Sequence, residues 1–275
     1  MTTEVFQDIT THGAAVNMSL RAKFRLTGGD RVRYLNGQVT NDVRRVKTDV
    51  TLYACVTDVK GRIAGDVFIH ATDDALFLDA EPGLREALGS RLERYIVADD
   101  AELTDVTDEW QLWHVFGTAT ADGLRSTRFG VGGVDVWLPA GAAFAPGCRV
   151  LSDEEIEMWR ILQKIPCWPN ELNTETFPPE AGIQERAMDF AKGCYIGQEV
   201  LSRIKTTGKM PRELIAFESE VEVQAGDEIC VEKAVGKVTS VTKHPVTGRT
   251  IGLGMVKQGT SSDSLTLAGA PLKRR

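Results

Sequence analysis

KGCYIGQE, residues 192–199, sets a cysteine between a glycine and a tyrosine where an apolar helical pattern begins. Ile196, Val200 and Ile204 fall at i, i+4 and i+8, which predicts one buried stripe of a helix starting near Tyr195. Arg203 and Lys205 then stand toward its C-terminal end, where cations complement the helix dipole. Gly193 lets the chain turn without a Cβ, and Cys194 falls at the positive end of the helix beside Lys192. A thiol so placed has its pKa lowered and offers thiolate near neutral pH. The same spacing also suits a helix entry whose cysteine only packs, as most cysteines do. Local pattern leaves both readings open.

Outward from this stretch, the 275 residues suffice for two packed units. Lys and Arg number 32 against 39 Asp and Glu, a net charge of −7, which disfavours nucleic acid as a direct partner. Cys55, Cys148, Cys167, Cys194 and Cys230 are irregularly spaced with no C-x-x-C pair, and the four histidines lack i, i+4 spacing. No metal site is therefore expected, and the thiols other than Cys194 read as reduced packing residues. No run of about 18 apolar residues predicts a membrane span. MTTEVFQDIT at the start has neither a basic nor an apolar targeting region, so a cytoplasmic monomer is the expectation.

Strand and helix signals alternate through the first 165 residues. Strands are predicted at 22–29, 74–81, 109–117 and 128–139, and a hairpin at 51–72 around the turn Asp58-Val59-Lys60-Gly61. Helical spacing appears at 31–46, where Gly37 weakens it. At 83–98, Leu84, Leu88, Leu92 and Tyr95 form one face, and Arg85, Arg91 and Arg94 look outward. A third helix at 152–165 carries a Ser152 cap. Residues 166–183 read as a long Pro-rich loop of the kind that carries function. After Gly208, short strands and turns predict a small closed β-barrel of about 65 residues. The expected domains are thus 1–208 and 209–275.

Asp66 is a single acid among Ile63, Val67 and Ile69, either turned to solvent or set in a cavity wall, where it could orient an amine or take a proton. RIKTTGKMPR (203–212) holds Arg203, Lys205, Lys209 and Arg212, a loop that either grips an anionic tail or is simply solvated. FGVGGVDV (129–136) lacks dinucleotide-fingerprint spacing and carries no nucleotide site.

The cysteine stretch together with Arg203, Gly208 and Arg212 reads K-G-C-Y-x-G-Q-E-x-x-x-R-x-x-x-x-G-x-x-x-R. This resembles the signature of the YgfZ family of folate-binding proteins, relatives of the glycine cleavage T-protein, an aminomethyltransferase. LTGGDRVRYLNGQVTNDV (26–43), YACVTDVKGRIAGDVFI (53–69), FPPEAGI (177–183) and VGKVTSVTKHPVTGRTIGLGMV (235–256) resemble family blocks in the family's order.

The resemblance implies an α+β fold: two intertwined T-protein-like folate-binding lobes around a central channel, plus a C-terminal β-barrel. It implies tetrahydrofolate as the ligand, iron–sulfur client or assembly proteins as partners, and indirect effects on tRNA modification. Cys194 takes the place of the family cysteine, and Lys192, Gly193, Tyr195, Gly197, Gln198 and Glu199 fill the rest of its motif. Asp66 stands about where T-proteins carry a folate-contacting aspartate, an acid that many YgfZ-type proteins lack. In RILQKIP (160–166), Arg160 and Pro166 fit the family's R-x-E-x-G-x-P, whereas Leu162 replaces the glutamate expected at the pterin and Lys164 the glycine. Cys194 and Asp66 are the candidate catalytic residues, with Arg160, Arg203 and Arg212 added to the motif residues as candidate ligand contacts. The alternatives are a true aminomethyltransferase and a non-catalytic folate-binding module.

Overall fold

A computed structural model describes residues 3–118, 121–261 and 264–275; the first two residues of the MTTEVFQDIT stretch lie outside these. Helix α1 (Thr3–His12) leads into strand β1 (Ala14–Asn17), then β2 (Ala22–Thr27) and α2 (Arg31–Gln38). The predicted hairpin is β3 (Leu52–Thr57) and β4 (Ile63–Ala71), followed by β5 (Leu76–Ala80), α3 (Arg85–Glu93) and β6 (Glu102–Asp105). Next come β7 (Trp110–Phe116), β8 (Leu124–Ser126), β9 (Gly133–Pro139), β10 (Arg149–Val150) and α4 (Asp153–Leu162). After the irregular segment 163–183 lie the short α5 (Gln184–Ala187) and α6 (Gln198–Thr207). Strands β11 (Arg212–Ser219), β12 (Glu228–Cys230), β13 (Ala234–Lys243), β14 (Thr250–Lys257), β15 (Thr266–Leu267) and β16 (Ala270–Arg274) complete the chain.

Two five-stranded sheets run β10-β1-β7-β9-β8 and β3-β4-β5-β2-β6, and β11-β14-β13-β12-β15-β16 close a barrel. The α+β architecture with a terminal barrel is therefore the one expected. The β3–β4 turn fixes its register locally: Asp58 Oδ1 accepts from Lys60 N and Arg62 N at 2.8 Å, and Asp58 N donates to Arg62 O at 2.9 Å. An irregularity between Val56 and Thr57 then shifts the pairing by one residue, which sets Tyr53 opposite Phe68 and Cys55 opposite Asp66. Alternation along β4 then sorts its side chains. Val67 and Ile69 join Leu35, Leu84 and Leu88 in the core under α2 and α3, while Asp66, Phe68 and His70 share the opposite face.

Helix α4 begins at a full capping box: Glu155 N donates to Ser152 Oγ, and Ser152 N to Glu155 Oε2. Its Trp159 packs with Phe116 and Phe129 of the first sheet's core. Its Ile161 and Leu162 pack on Leu214, Ile251, Leu253 and Met255 of the barrel, so one helix ties lobe and barrel together.

Several elements are shorter than their sequence patterns. The 31–46 helix ends at Gln38, because Val39 is extended and Asp42 caps a separate 3₁₀ turn, Val43–Arg45. The 83–98 helix ends at Glu93, leaving Tyr95 exposed. Arg91 turns inward instead of outward, donating to Gln38 Oε1 and Thr57 O at 3.0 Å each, with its stem along the Tyr95 ring. The strand expected over 128–139 starts only at Gly133, and Arg128 before it is buried.

Candidate functional site

Between the lobes lies a cavity of about 350 Å³, with Asp66 and Phe68 of β4, Tyr53 of β3, Arg21, Arg128 and Trp168 among its walls. Its size is that of a small-molecule pocket. Asp66 is 7% exposed, so of its two sequence readings the cavity wall is the one the fold adopts. The Tyr53 hydroxyl donates to Asp66 Oδ2 at 3.1 Å, and Oδ1 has no partner among the described residues. Burial raises the Asp66 pKa, and Arg21 opposes that rise. Tyr53 and Phe68 stack with centroids 4.6 Å apart, giving the wall a flat aromatic surface.

A buried charge network that sequence reasoning missed frames this wall. Arg21 Nε donates to Asp79 at 2.5 Å and its Nη1 to Glu81, while Nη2 has no partner among the described residues. Arg128 bridges Asp79 and Asp135, with its guanidinium 3.8 Å from the Phe68 ring centroid. Arg186 also lines the cavity; it donates to Thr127 O at 2.7 Å and has no carboxylate partner among the described ion pairs. These arginines carry no sequence motif. Tyr53 lies on the predicted hairpin and Trp168 in the predicted long loop, but neither stood out in the sequence, and the Tyr53–Phe68 pairing depends on the shift in register near Val56.

Arg160 does line the cavity, but its donors are occupied: by Glu157 at 2.5 and 2.6 Å, Glu171 at 3.1 Å, Ser240 Oγ at 2.6 Å and Ile165 O at 3.2 Å. It joins α4, the long loop and β13 of the barrel. Leu162 faces the barrel instead of the cavity. Lys164 adopts φ 55°, the left-handed conformation that the family's glycine suits.

The cysteine stretch is built differently from its sequence reading. Gly197 has φ 86°, so α6 starts at Gln198, three residues later than the apolar spacing predicts. A Cβ on Gly197 would meet Asp58 O at 2.6 Å and Gly61 Cα at 2.8 Å; this glycine lets the stretch pack on the β3–β4 turn. Gly193, by contrast, has open space around its Cβ position. Lys192 is buried, and its Nζ donates to the carbonyls of Asn36, Val39 and Asn41 at 2.6, 2.7 and 2.8 Å. Burial lowers its pKa to about 8, which leaves it charged at neutral pH. Neither the helix terminus nor the ammonium is thus arranged around the thiol as the sequence implied.

Cys194 itself is exposed, whereas Cys55 is buried and Cys148, Cys167 and Cys230 are half-buried. Tyr195 is buried against Ile183 and Cys55. Burial pushes its pKa up to about 12. Glu199 is exposed with Arg203 3.9 Å away, and Gln198 opens α6. Arg212 is held by the buried Glu180 and donates to Glu175 O. Lys205 lies over the Phe190 ring. The cavity walls include Asp66 and Arg160 but neither Cys194 nor any of Arg203, Lys205, Lys209 and Arg212. The sequence candidates therefore divide between an interior cavity and a surface thiol loop.

Comparison with known proteins agrees with this architecture. The model of the GCVT N-terminal domain matches residues 2–129. An iron–sulfur cluster assembly factor IBA57 homolog, mitochondrial, of Phaeosphaeria nodorum is 26% identical over 219 residues, covering 71% of this chain and 53% of that protein. The chain thus spans about half the length of that relative. The tRNA-modifying protein YgfZ of Aliivibrio fischeri is 26% identical over 238 residues, covering 78% of this chain and 74% of that one. The crystal structure of glycine cleavage system aminomethyltransferase T from Bartonella henselae superposes with a TM-score of 0.82 at 14% identity, over 95% of this chain and 83% of that chain, a likeness of fold. The chain thus carries a GCVT N-terminal domain match and the aminomethyltransferase T fold, and with its complete cysteine signature it is similar to YgfZ-type proteins and to glycine cleavage aminomethyltransferases.

Proposed function

We propose that the protein binds a reduced folate, tetrahydrofolate or a close derivative, in the Asp66 cavity and assists iron–sulfur cluster assembly or repair in the cytoplasm. An effect on tRNA modification would follow indirectly, through an iron–sulfur client enzyme. The supporting observation is the Asp66 carboxylate, with one oxygen unpartnered, in the wall of an aromatic-lined cavity between the lobes. A pterin is planar and rich in N–H donors, which a carboxylate accepts, and it carries a carbonyl of the kind that would suit the unpartnered Arg21 Nη2 as donor. Tyr53, Phe68 and Trp168 supply apolar surface for the rings.

Asp66→Ala is expected to weaken tetrahydrofolate binding by about 1.5–3 kcal/mol, the usual value of a hydrogen bond to a charged group. Titration calorimetry on both proteins tests it, and equal affinities reject the reading. Cys194, exposed and outside the cavity, would act on the partner side, toward an iron–sulfur protein or its cluster. Asp66 also favours a second reading, aminomethyl transfer. Turnover with a lipoylated carrier protein would decide for that one.

A further inference from the structure

Beyond the Arg128 ion pairs lies a second cavity, open to solvent on one side and of about 360 Å³, lined by His70, Phe77, Trp110, Leu124, Trp137 and Leu138 among others. The two cavities share a wall: Arg128 lines the first, and Asp135, to which its Nε donates at 2.8 Å, lines the second. Strand β4 feeds both from one face, Asp66 and Phe68 to the first and His70 to the second.

Phe77, Trp110 and Trp137 form an edge-to-face cluster, with centroids 5.8 Å apart for Phe77–Trp110, 5.9 Å for Phe77–Trp137 and 6.4 Å for Trp110–Trp137. The His70 ring stacks on Phe77 at 5.1 Å and 6° and lies 4.7 Å from Trp137. Two nitrogens here are buried without a hydrogen-bond partner among the described residues: His70 Nδ1 and Trp137 Nε1. Buried donors and acceptors are rarely left unpaired, and a complementary ligand would relieve both. An indole N–H can only donate, so the ligand must offer an acceptor. Asp135 is already neutralised by Arg128 and hydrogen-bonded to His114, and burial keeps His70 neutral at physiological pH. The buried part of the wall therefore presents no free charge; Asp122, the other acid on the lining, is exposed to solvent and has no ion-pair partner among the described residues.

We propose that this second cavity is a binding site for a neutral, planar heteroaromatic ring bearing an acceptor nitrogen or oxygen, distinct from the Asp66 site. The acceptor takes the Trp137 N–H, and the ring packs on the aromatic cluster.

Trp110 and Trp137 make the site self-reporting. Benzimidazole, which has the acceptor, and indane, which has the same outline and none, are titrated into the full-length protein with tryptophan emission excited at 295 nm. Saturable quenching is expected, with benzimidazole preferred by about fivefold, the ratio one neutral hydrogen bond confers. Trp137→Phe keeps Trp110 as reporter and should abolish that preference. If this variant melts early, His70→Phe should reduce it in its place. The reduced folate folinate should leave benzimidazole affinity within twofold. Unsaturable quenching, equal affinity for the two probes, an unchanged preference in a folded Trp137→Phe, or competitive displacement by folinate would each overturn the assignment.

Discussion

Arg128 holds Asp79 through both terminal nitrogens, Nη1 at 2.9 Å and Nη2 at 2.5 Å, and so links a turn of the β1-containing sheet to strand β5 of the other. Both side chains are almost fully buried, and Asp135 takes the remaining Nε. The inter-lobe wall behind the Asp66 cavity rests on this fork.

Arg128→Met should therefore destabilise the fold by about 3–5 kcal/mol, because it leaves the buried Asp135 without its cation and Asp79 with Arg21 alone. Arg128→Lys should recover little of the loss, since an ammonium cannot reproduce the planar fork. Urea unfolding of the three proteins measures both effects. A loss below 1 kcal/mol for Arg128→Met would show that the network contributes no net stability.

His70 gives a pH dependence of known sign. Burial lowers its pKa from the ordinary 6.5 to about 4, with Asp79 and Asp135 opposing the shift and Arg128 adding to it. The unfolded chain thus binds a proton that the folded one refuses. The stabilisation is complete above pH 6.5 and is lost as pH falls toward 4. Its size is on the order of 3 kcal/mol. His70→Phe should flatten the stability curve between pH 6.5 and 4 relative to the parent. Curves that stay parallel through that window would assign the acid sensitivity to other groups.

These groups also mark where the sequence stops being readable. The β3–β4 hairpin and its Asp58 turn follow from local alternation and turn chemistry, and Asp66 stood out as a single acid among apolar residues, although that pattern left solvent and cavity wall both open. Arg21, Asp79 and Arg128 could not be singled out, since their partners lie about 50 to 60 residues away and no short-range pattern couples them. The start of α6 was misplaced because Ile196, Val200 and Ile204 keep helical spacing whatever the backbone does at Gly197 between them. The left-handed turn there is set by close approach of the Asp58–Gly61 turn, a tertiary contact. The cysteine signature was readable as a motif, but the direction in which Lys192 points was not.

Arg186 bears on the anionic tail of a folate, a prediction that rests on the proposed ligand. The loop of Arg203, Lys205, Lys209 and Arg212 was the nearest positive segment in sequence, yet none of the four lines the cavity. Arg186 does, with its guanidinium 5.4 Å from the Tyr53 ring centroid and no carboxylate partner among the described residues. Polyglutamylated tetrahydrofolate should bind more tightly than the monoglutamate, and salt should erode the difference. Arg186→Ala should remove most of it, and an Arg203→Ala, Lys205→Ala double variant little. The reverse ranking in calorimetry would return the tail to the basic loop.

Lys192 and Cys194, two residues apart, are expected to separate into a structural and a functional role. The Lys192 ammonium has three N–H donors and meets three carbonyls at the end of α2 and beyond, so it satisfies groups that a helix end would otherwise leave open. Lys192→Met should cost about 3 kcal/mol or more, because it strands buried carbonyls. Cys194 is exposed, and exposure alone should make it the fastest of the five thiols toward iodoacetamide. Cys194→Ala should then melt within about 2 °C of the parent, since an exposed side chain adds little packing. Lys192→Met, at temperatures where it stays folded, should leave the Cys194 alkylation rate within a factor of two, because the ammonium is directed into α2 and not at the sulfur. Mass spectrometry of alkylated peptides reads every rate at once. A large slowing of Cys194 in folded Lys192→Met would restore the lysine to thiol activation, and early melting of Cys194→Ala would make the thiol a packing residue after all.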